Sequence, residues 1–119
     1  MNREDLKLRT KNYVLRIIKL VKALPNTLDS RTIGNQLIRC GTSVGANYRA
    51  VCRARSNAEF ISKLGIVIEE ADESAFWIEL IIESGLIKEE LLKPLLKETN
   101  EIISIMVASS KSAKINPKS

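Results

Sequence analysis

Residues 31–55 read RTIGNQLIRCGTSVGANYRAVCRAR, with five arginines and no acid. Set on a helix at about 100° per residue, the stretch separates into two faces. Ile33, Leu37, Cys40, Val44, Tyr48 and Val51 share one apolar sector. Arg31, Arg39, Arg49 and Arg53 fall in a narrow sector on nearly the opposite side. This pattern predicts a long amphipathic helix over residues 31–54, entered through Thr27 or Ser30 as cap. A solvated face needs no stripe of one sign, so the arginines point to an anionic partner, either a phosphate backbone or an acidic helix. The same segment holds Gly41, Ser43, Gly45, Ala46, Ala50 and Ala54. Each glycine inside a helix costs about 1 kcal/mol relative to alanine. Close approach of a second helix would offset that, and so would backbone approach to a ligand.

Outward from this stretch, three more segments carry helical periodicity. Residues 5–24 place Leu6, Tyr13, Ile17, Leu20, Val21 and Leu24 on one face and stop at Pro25, which disfavours helix in the residue before it. Residues 57–84 open with an S-x-x-E capping box at Ser56 and Glu59 and close at Gly85, a left-handed stop. That helix would be about 40 Å long, with Phe60, Leu64, Val67, Ala71, Ala75, Ile78 and Ile82 turned inward. Residues 88–110 turn Leu91, Leu92, Leu95, Leu96, Ile102, Ile103 and Met106 inward, with a kink or short initial turn expected at Pro94. Residues 111–119 (KSAKINPKS) read as a disordered tail. No segment alternates with period two over strand length. The fold class is therefore all-α, an antiparallel up-down-up-down four-helix bundle forming a single domain over residues 1–110.

The N-terminal residues are charged and the chain contains no run of about 18 uncharged apolar residues. Neither a leader nor a membrane span is expected. Cys40 and Cys52 would be about 18 Å apart along one helix, too far to bond. Reduced thiols and a cytoplasmic location follow as expectations.

The net charge is +5, unevenly spread. Residues 1–24 carry +5, residues 31–55 carry +5, and residues 56–85 carry −6. Part of this segregation should pair the third helix with the first two inside one subunit, each exposed pair contributing under about 1 kcal/mol.

The third helix also has more apolar surface than one core can use. Ile66, Phe76, Trp77 and Leu80 map opposite its inward stripe, among Glu69, Glu70 and Glu73, and Leu8 and Leu15 point away from the core stripe of the first helix. Each large side chain left in water forfeits about 1.5–3 kcal/mol, and such patches mark interfaces. A homo-oligomer is expected, with Leu8, Leu15, Ile66, Glu73, Phe76, Trp77 and Leu80 as candidate interface residues. The alternative is that the long helix rotates and tucks these side chains under its neighbours.

The sequence carries no recognisable catalytic constellation. The chain has no histidine, so imidazole bases and His-paired nucleophiles are excluded. Glu69, Glu70, Asp72 and Glu73 lack the imidazoles of a bundle di-iron site. Gly41-Thr42-Ser43-Val44-Gly45 lacks the Lys-Ser/Thr of a phosphate loop, and the two cysteines have no companion zinc ligands. No enzyme, cofactor, metal or small-molecule substrate is expected.

The run Thr42-Ser43-Val44-Gly45-Ala46-Asn47-Tyr48-Arg49-Ala50, followed by Arg53-Ala54-Arg55-Ser56, Ala58-Glu59-Phe60 and Lys63-Leu64, resembles the four-helix-bundle proteins named for the 23S ribosomal RNA intervening sequence. Glu69-Glu70-Ala71-Asp72-Glu73 and Phe76-Trp77-Ile78-Glu79-Leu80 continue the resemblance over most of the chain. It implies a small antiparallel bundle assembling into a pentameric ring. Some relatives are encoded in insertions within ribosomal RNA genes. A related branch, the accessory variability determinants of diversity-generating retroelements, binds nucleic acid and a reverse transcriptase. The resemblance marks Arg39, Asn47, Tyr48, Arg49, Arg53, Arg55 and Ser56 as motif residues and implies no catalytic role for them.

Two functions fit. The first is an accessory protein binding structured RNA, or DNA, through clustered cations: Arg31, Arg39, Arg49, Arg53 and Arg55, extended by Lys7, Lys11, Lys19 and Lys22. The second is a protein-interaction scaffold in which the arginine stripe meets the acidic helix of a neighbouring copy.

Overall fold

The computed structural model describes residues 1–116. Four helices follow one another: α1 (Arg3–Ala23), α2 (Leu28–Cys52), α3 (Asn57–Glu83) and α4 (Glu89–Ile115). Each packs against its sequence neighbours, and α1 meets α4 to close the square. The result is an antiparallel bundle measuring 49 × 21 × 20 Å.

Local chemistry fixes the helix ends. Asn2 and Asp5 form a reciprocal capping box on α1. Thr27 is the cap of α2, accepting from the Ser30 amide, so that helix starts before Arg31. Ser56 Oγ accepts from the Glu59 amide at 3.0 Å. Only that half of the expected box forms, because the Glu59 carboxylate turns to Arg55 and Lys63. Gly85, at φ +77°, ends α3. Its amide bonds to Ile82 O and that of Leu86 to Ile81 O, the two bonds of a Schellman motif.

Three expectations about α4 are corrected. It runs unbroken through Pro94 and continues to Ile115, so the chain is helical beyond residue 110. Ala113 is buried there, and its carbonyl accepts from Asn57 Nδ2 at 3.0 Å. The rest of the expected tail, residues 117–119, lies outside the described residues. Leu91 is not inward but 70% exposed; it lies one helical step of about 100° from Leu92, which takes the buried place in that turn.

The core is built from Tyr13 and Ile17 of α1, Leu37, Cys40, Val44 and Val51 of α2, Leu64, Val67 and Ile78 of α3, and Ile102 and Met106 of α4. In α3, Ile81 takes the fully buried place expected of Ile82, which is only half-buried. Close approach of α1 accounts for the glycines of α2. A Cβ on Gly41 would lie 2.7 Å from Ile17 Cγ2, and one on Gly45 would lie 2.8 Å from Val14 Cγ2 and 3.3 Å from the Thr10 carbonyl oxygen.

The α1–α4 seam is the narrowest, and polar contacts fasten it. Arg9 forks onto Glu98 at 2.8 and 2.6 Å and reaches Glu101 at 3.4 Å. Tyr13 and Thr99 share a buried hydrogen bond beneath. Both cysteines are free. Cys40 is buried and accepts from Ser74 Oγ at 3.3 Å, and burial pushes its thiol pKa up. Among the described residues, no helix is long and apolar enough to cross a membrane.

Candidate nucleic-acid interface

The arginines of α2 divide according to their angle around the helix. Arg39 lies about 80° round from Arg31 and leans over α3. There its guanidinium binds Glu70 at 3.3 Å and also grips Glu73. The contact with Glu73 is the largest influence raising the Arg39 pKa. Trp77 Nε1 donates to the same Glu73 carboxylate at 3.1 Å, and together with Arg39 it holds that carboxyl below the usual range. The segregated charge is thus partly neutralised within the subunit, at the α2–α3 seam. Arg39 carries this clamp.

Arg31 is exposed at the other end of α2 and donates to Asn26 Oδ1 at 2.8 Å. Arg49 and Arg53 are exposed and, among the described residues, have no carboxylate partner. Arg49 overhangs a groove of about 510 Å³ between α1 and α2. Leu8, Val14 and Gly45 line its apolar part, and Lys7 and Lys11 line the α1 side. Lys7 is partly neutralised by Glu4 at 3.5 Å. Lys19 and Lys22 are exposed on α1 but do not line the groove, and Lys19 lies about 80° round from Lys11. Arg55 stands in the turn before α3, its side chain 90% exposed, 3.8 Å from Glu59.

The residues expected at an oligomer interface also divide. Leu8, Leu15, Ile66 and Phe76 are exposed, at 61%, 56%, 42% and 51%. Trp77 and Leu80 are half-buried. The indole rests against the core and meets Phe76 edge-on, with ring centroids 5.0 Å apart. One helical step of about 100° separates the two rings, turning Trp77 toward α2 and leaving Phe76 in solvent. Glu73 is committed to Arg39 and Trp77. Glu69, Asp72, Glu79 and Glu83 are exposed on α3.

One cation escaped the sequence reading. Arg3 stacks over the Phe60 ring, 5.4 Å from its centroid. Only the net charge of residues 1–24 hinted at it, since nothing local links Arg3 to Phe60. Among the described residues, no group of three or more His, Cys, Asp or Glu is placed to hold a metal ion.

The family model of the 23S rRNA-intervening sequence protein matches residues 5–108. The chain is also similar to a crystal structure, at 1.70 Å resolution, of a protein of unknown function from the S23 ribosomal protein family of Bacteroides thetaiotaomicron. The two share 34% identity over 88% of this chain and 97% of that one, with a TM-score of 0.83. No curated protein matches the chain.

Proposed function

The chain belongs to the 23S rRNA-intervening sequence protein family, and from that premise we propose that it is a non-enzymatic homo-oligomer, a pentameric ring, that binds structured RNA through unpaired cations. The observation that carries the binding half is the state of Arg49 and Arg53. They remain exposed without carboxylate partners although α3, the acidic helix, is packed alongside. Arg39 has consumed Glu70 and Glu73, so internal pairing leaves the rest of the stripe positive. Phosphate binding needs clustered cations of this kind and is largely independent of sequence. Only five aromatic residues exist, and the one on α2, Tyr48, is buried in the core away from the arginines, so base stacking contributes little and duplex or folded RNA suits the surface better than a single strand.

The assembly half rests on Leu8, Leu15, Ile66 and Phe76, which a lone bundle leaves in water. The outer face of α3 is apolar and acidic, while the α1–α2 groove is apolar and basic. One copy's α3 set into the next copy's groove is a heterologous contact, which closes into a ring when the rotation permits. A ring repeats each cationic surface, so avidity compensates for weak single contacts.

The test is the affinity of a labelled RNA hairpin from about 50 to 200 mM salt. A steep fall with salt is expected, with Arg53→Glu/Arg55→Glu, both outside the α1–α2 groove, weakening binding while native mass and helicity persist. No binding at about 50 mM salt, or a flat response, removes the RNA reading. A double variant that breaks the oligomer instead favours the scaffold, in which the stripe serves self-assembly.

A further inference from the structure

Charge in this bundle is sorted along its length as well as around it. At the end where α1 and α3 begin and α2 and α4 finish, two concavities meet. One, of about 670 Å³, is lined by Arg3, Arg55, Asn57, Phe60, Ser109 and Ser112, among alanines and Ser56. The other, of about 580 Å³, is lined by Arg49, Arg53, Arg55, Glu59 and Lys63, with Ala46 and Ala50. Arg55 belongs to both. Together they gather five cations against one carboxylate, Glu59, which already serves Arg55 and Lys63. The first concavity contains no acid at all. Across the whole chain the ratio is 19 to 14, so these two concavities depart sharply from the average.

We propose that this end of the bundle is the RNA-contacting surface, with Arg3 and Arg55 gripping phosphates of one strand across the cleft. The proposal rests on the RNA reading above and locates it. A phosphodiester backbone is recognised by guanidinium groups, hydroxyls and side-chain amides, which is what Arg3, Arg55, Ser109, Ser112 and Asn57 present. An acidic peptide is favoured less. The only large apolar group in the cleft, Phe60, is already covered by Arg3, so the cleft offers no pocket for an anchoring side chain.

The position also separates the two demands on this surface. The α1–α2 groove and the outer face of α3 are lateral, and a ring built through them leaves the first concavity, with Arg3 and Arg55, free, since it shares no residue with the groove. Cyclic symmetry makes the subunits equivalent, so bundles standing side by side bring every such end to the same rim. Phosphate contacts then repeat around one edge of the assembly, the arrangement from which multivalent binding gains most.

The experiment compares wild-type protein with Arg3→Gln/Arg55→Gln and with the lateral pair Lys93→Gln/Lys97→Gln, exposed on α4, using the RNA hairpin and its salt series. The end variant should lose about tenfold in affinity and flatten the log–log salt slope by about 2, one unit for each phosphate contact removed. Arg55→Lys should retain most of the slope, and the lateral variant should bind like wild type. Equal binding by wild type and the end variant overturns this inference and leaves the RNA reading standing. Wild-type protein that binds no RNA overturns both. If polyglutamate displaces the hairpin at matched charge, the surface serves acidic proteins and the inference falls. Circular dichroism and native mass on each variant separate a lost contact from a lost fold.

Discussion

The hydroxyls of Tyr13 on α1 and Thr99 on α4 lie 2.7 Å apart in the interior, although 86 residues separate them in sequence. Thr99 also bonds the Leu95 carbonyl at 2.9 Å. Its proton is committed there, so Tyr13 is the donor in the pair. Tyr13→Phe therefore removes one buried hydrogen bond while Thr99 keeps a partner. It should cost about 1 kcal/mol, read as a lower urea midpoint at unchanged slope. An unchanged midpoint would mean that the α1–α4 seam does not depend on this bond.

Burial pushes the Tyr13 phenol up to about 12, with the Thr99 hydroxyl pulling weakly the other way. Burial is also the main cause that takes Tyr48 to about 12, followed by its neighbour Cys52. An unfolded tyrosine ionises near 10. The unfolded chain therefore sheds protons that the folded chain retains, and stability is full below pH 10 and falls as pH rises toward 12. These are the only two tyrosines. Phenolate absorbance should stay low through pH 10 and rise together with loss of helix. A titration step near pH 10 in the folded protein would contradict their burial.

Two glycine-to-alanine substitutions should have opposite signs. Alanine is favoured over glycine inside a helix by about 1 kcal/mol. At Gly65 nothing lies within 4 Å of the added methyl, so Gly65→Ala should stabilise by roughly that amount. At Gly41 the methyl meets Ile17 at 2.7 Å, and Ile17 is completely buried and has nowhere to move. Gly41→Ala should destabilise by about 1–3 kcal/mol. Thermal melting of the two variants checks both signs.

The Arg39 clamp predicts a separation of stability from binding. Arg39→Gln should weaken the α2–α3 seam only slightly, since the pair is solvent-exposed. It should leave the RNA salt slope unchanged. Because the Glu73 carboxyl is depressed, its contribution is present above the ordinary carboxylate range and is lost as pH falls through the lowered value. Acid melting of Glu73→Gln should accordingly be less pH-dependent there than that of wild type.

The bundle was legible because helix periodicity, caps and the Gly85 stop all agree along this chain. The α2 core stripe from Leu37 to Val51 and the Ser56 cap were readable from spacing alone. Spacing could not show which residues beside a stripe are covered by a neighbouring helix. Trp77, one step from Phe76, turns inward, and Ile81 displaces Ile82, because rotation of α3 is set by packing against α2 and α4. The arginine stripe was legible as a stripe, but its division was not. Arg39 meets Glu70 and Glu73 across a seam that only tertiary structure creates. Arg3 reaches Phe60 for the same reason, so the basic end was invisible in the linear chain.

The account stands most directly on the native mass of the purified protein, measured by light scattering in dilute solution. Its exposed Leu8, Leu15, Ile66 and Phe76 predict a closed assembly, and the family resemblance puts the expected mass near five times the 13.3 kDa of the chain. A stable particle of 13.3 kDa, with these side chains left in water, would contradict it.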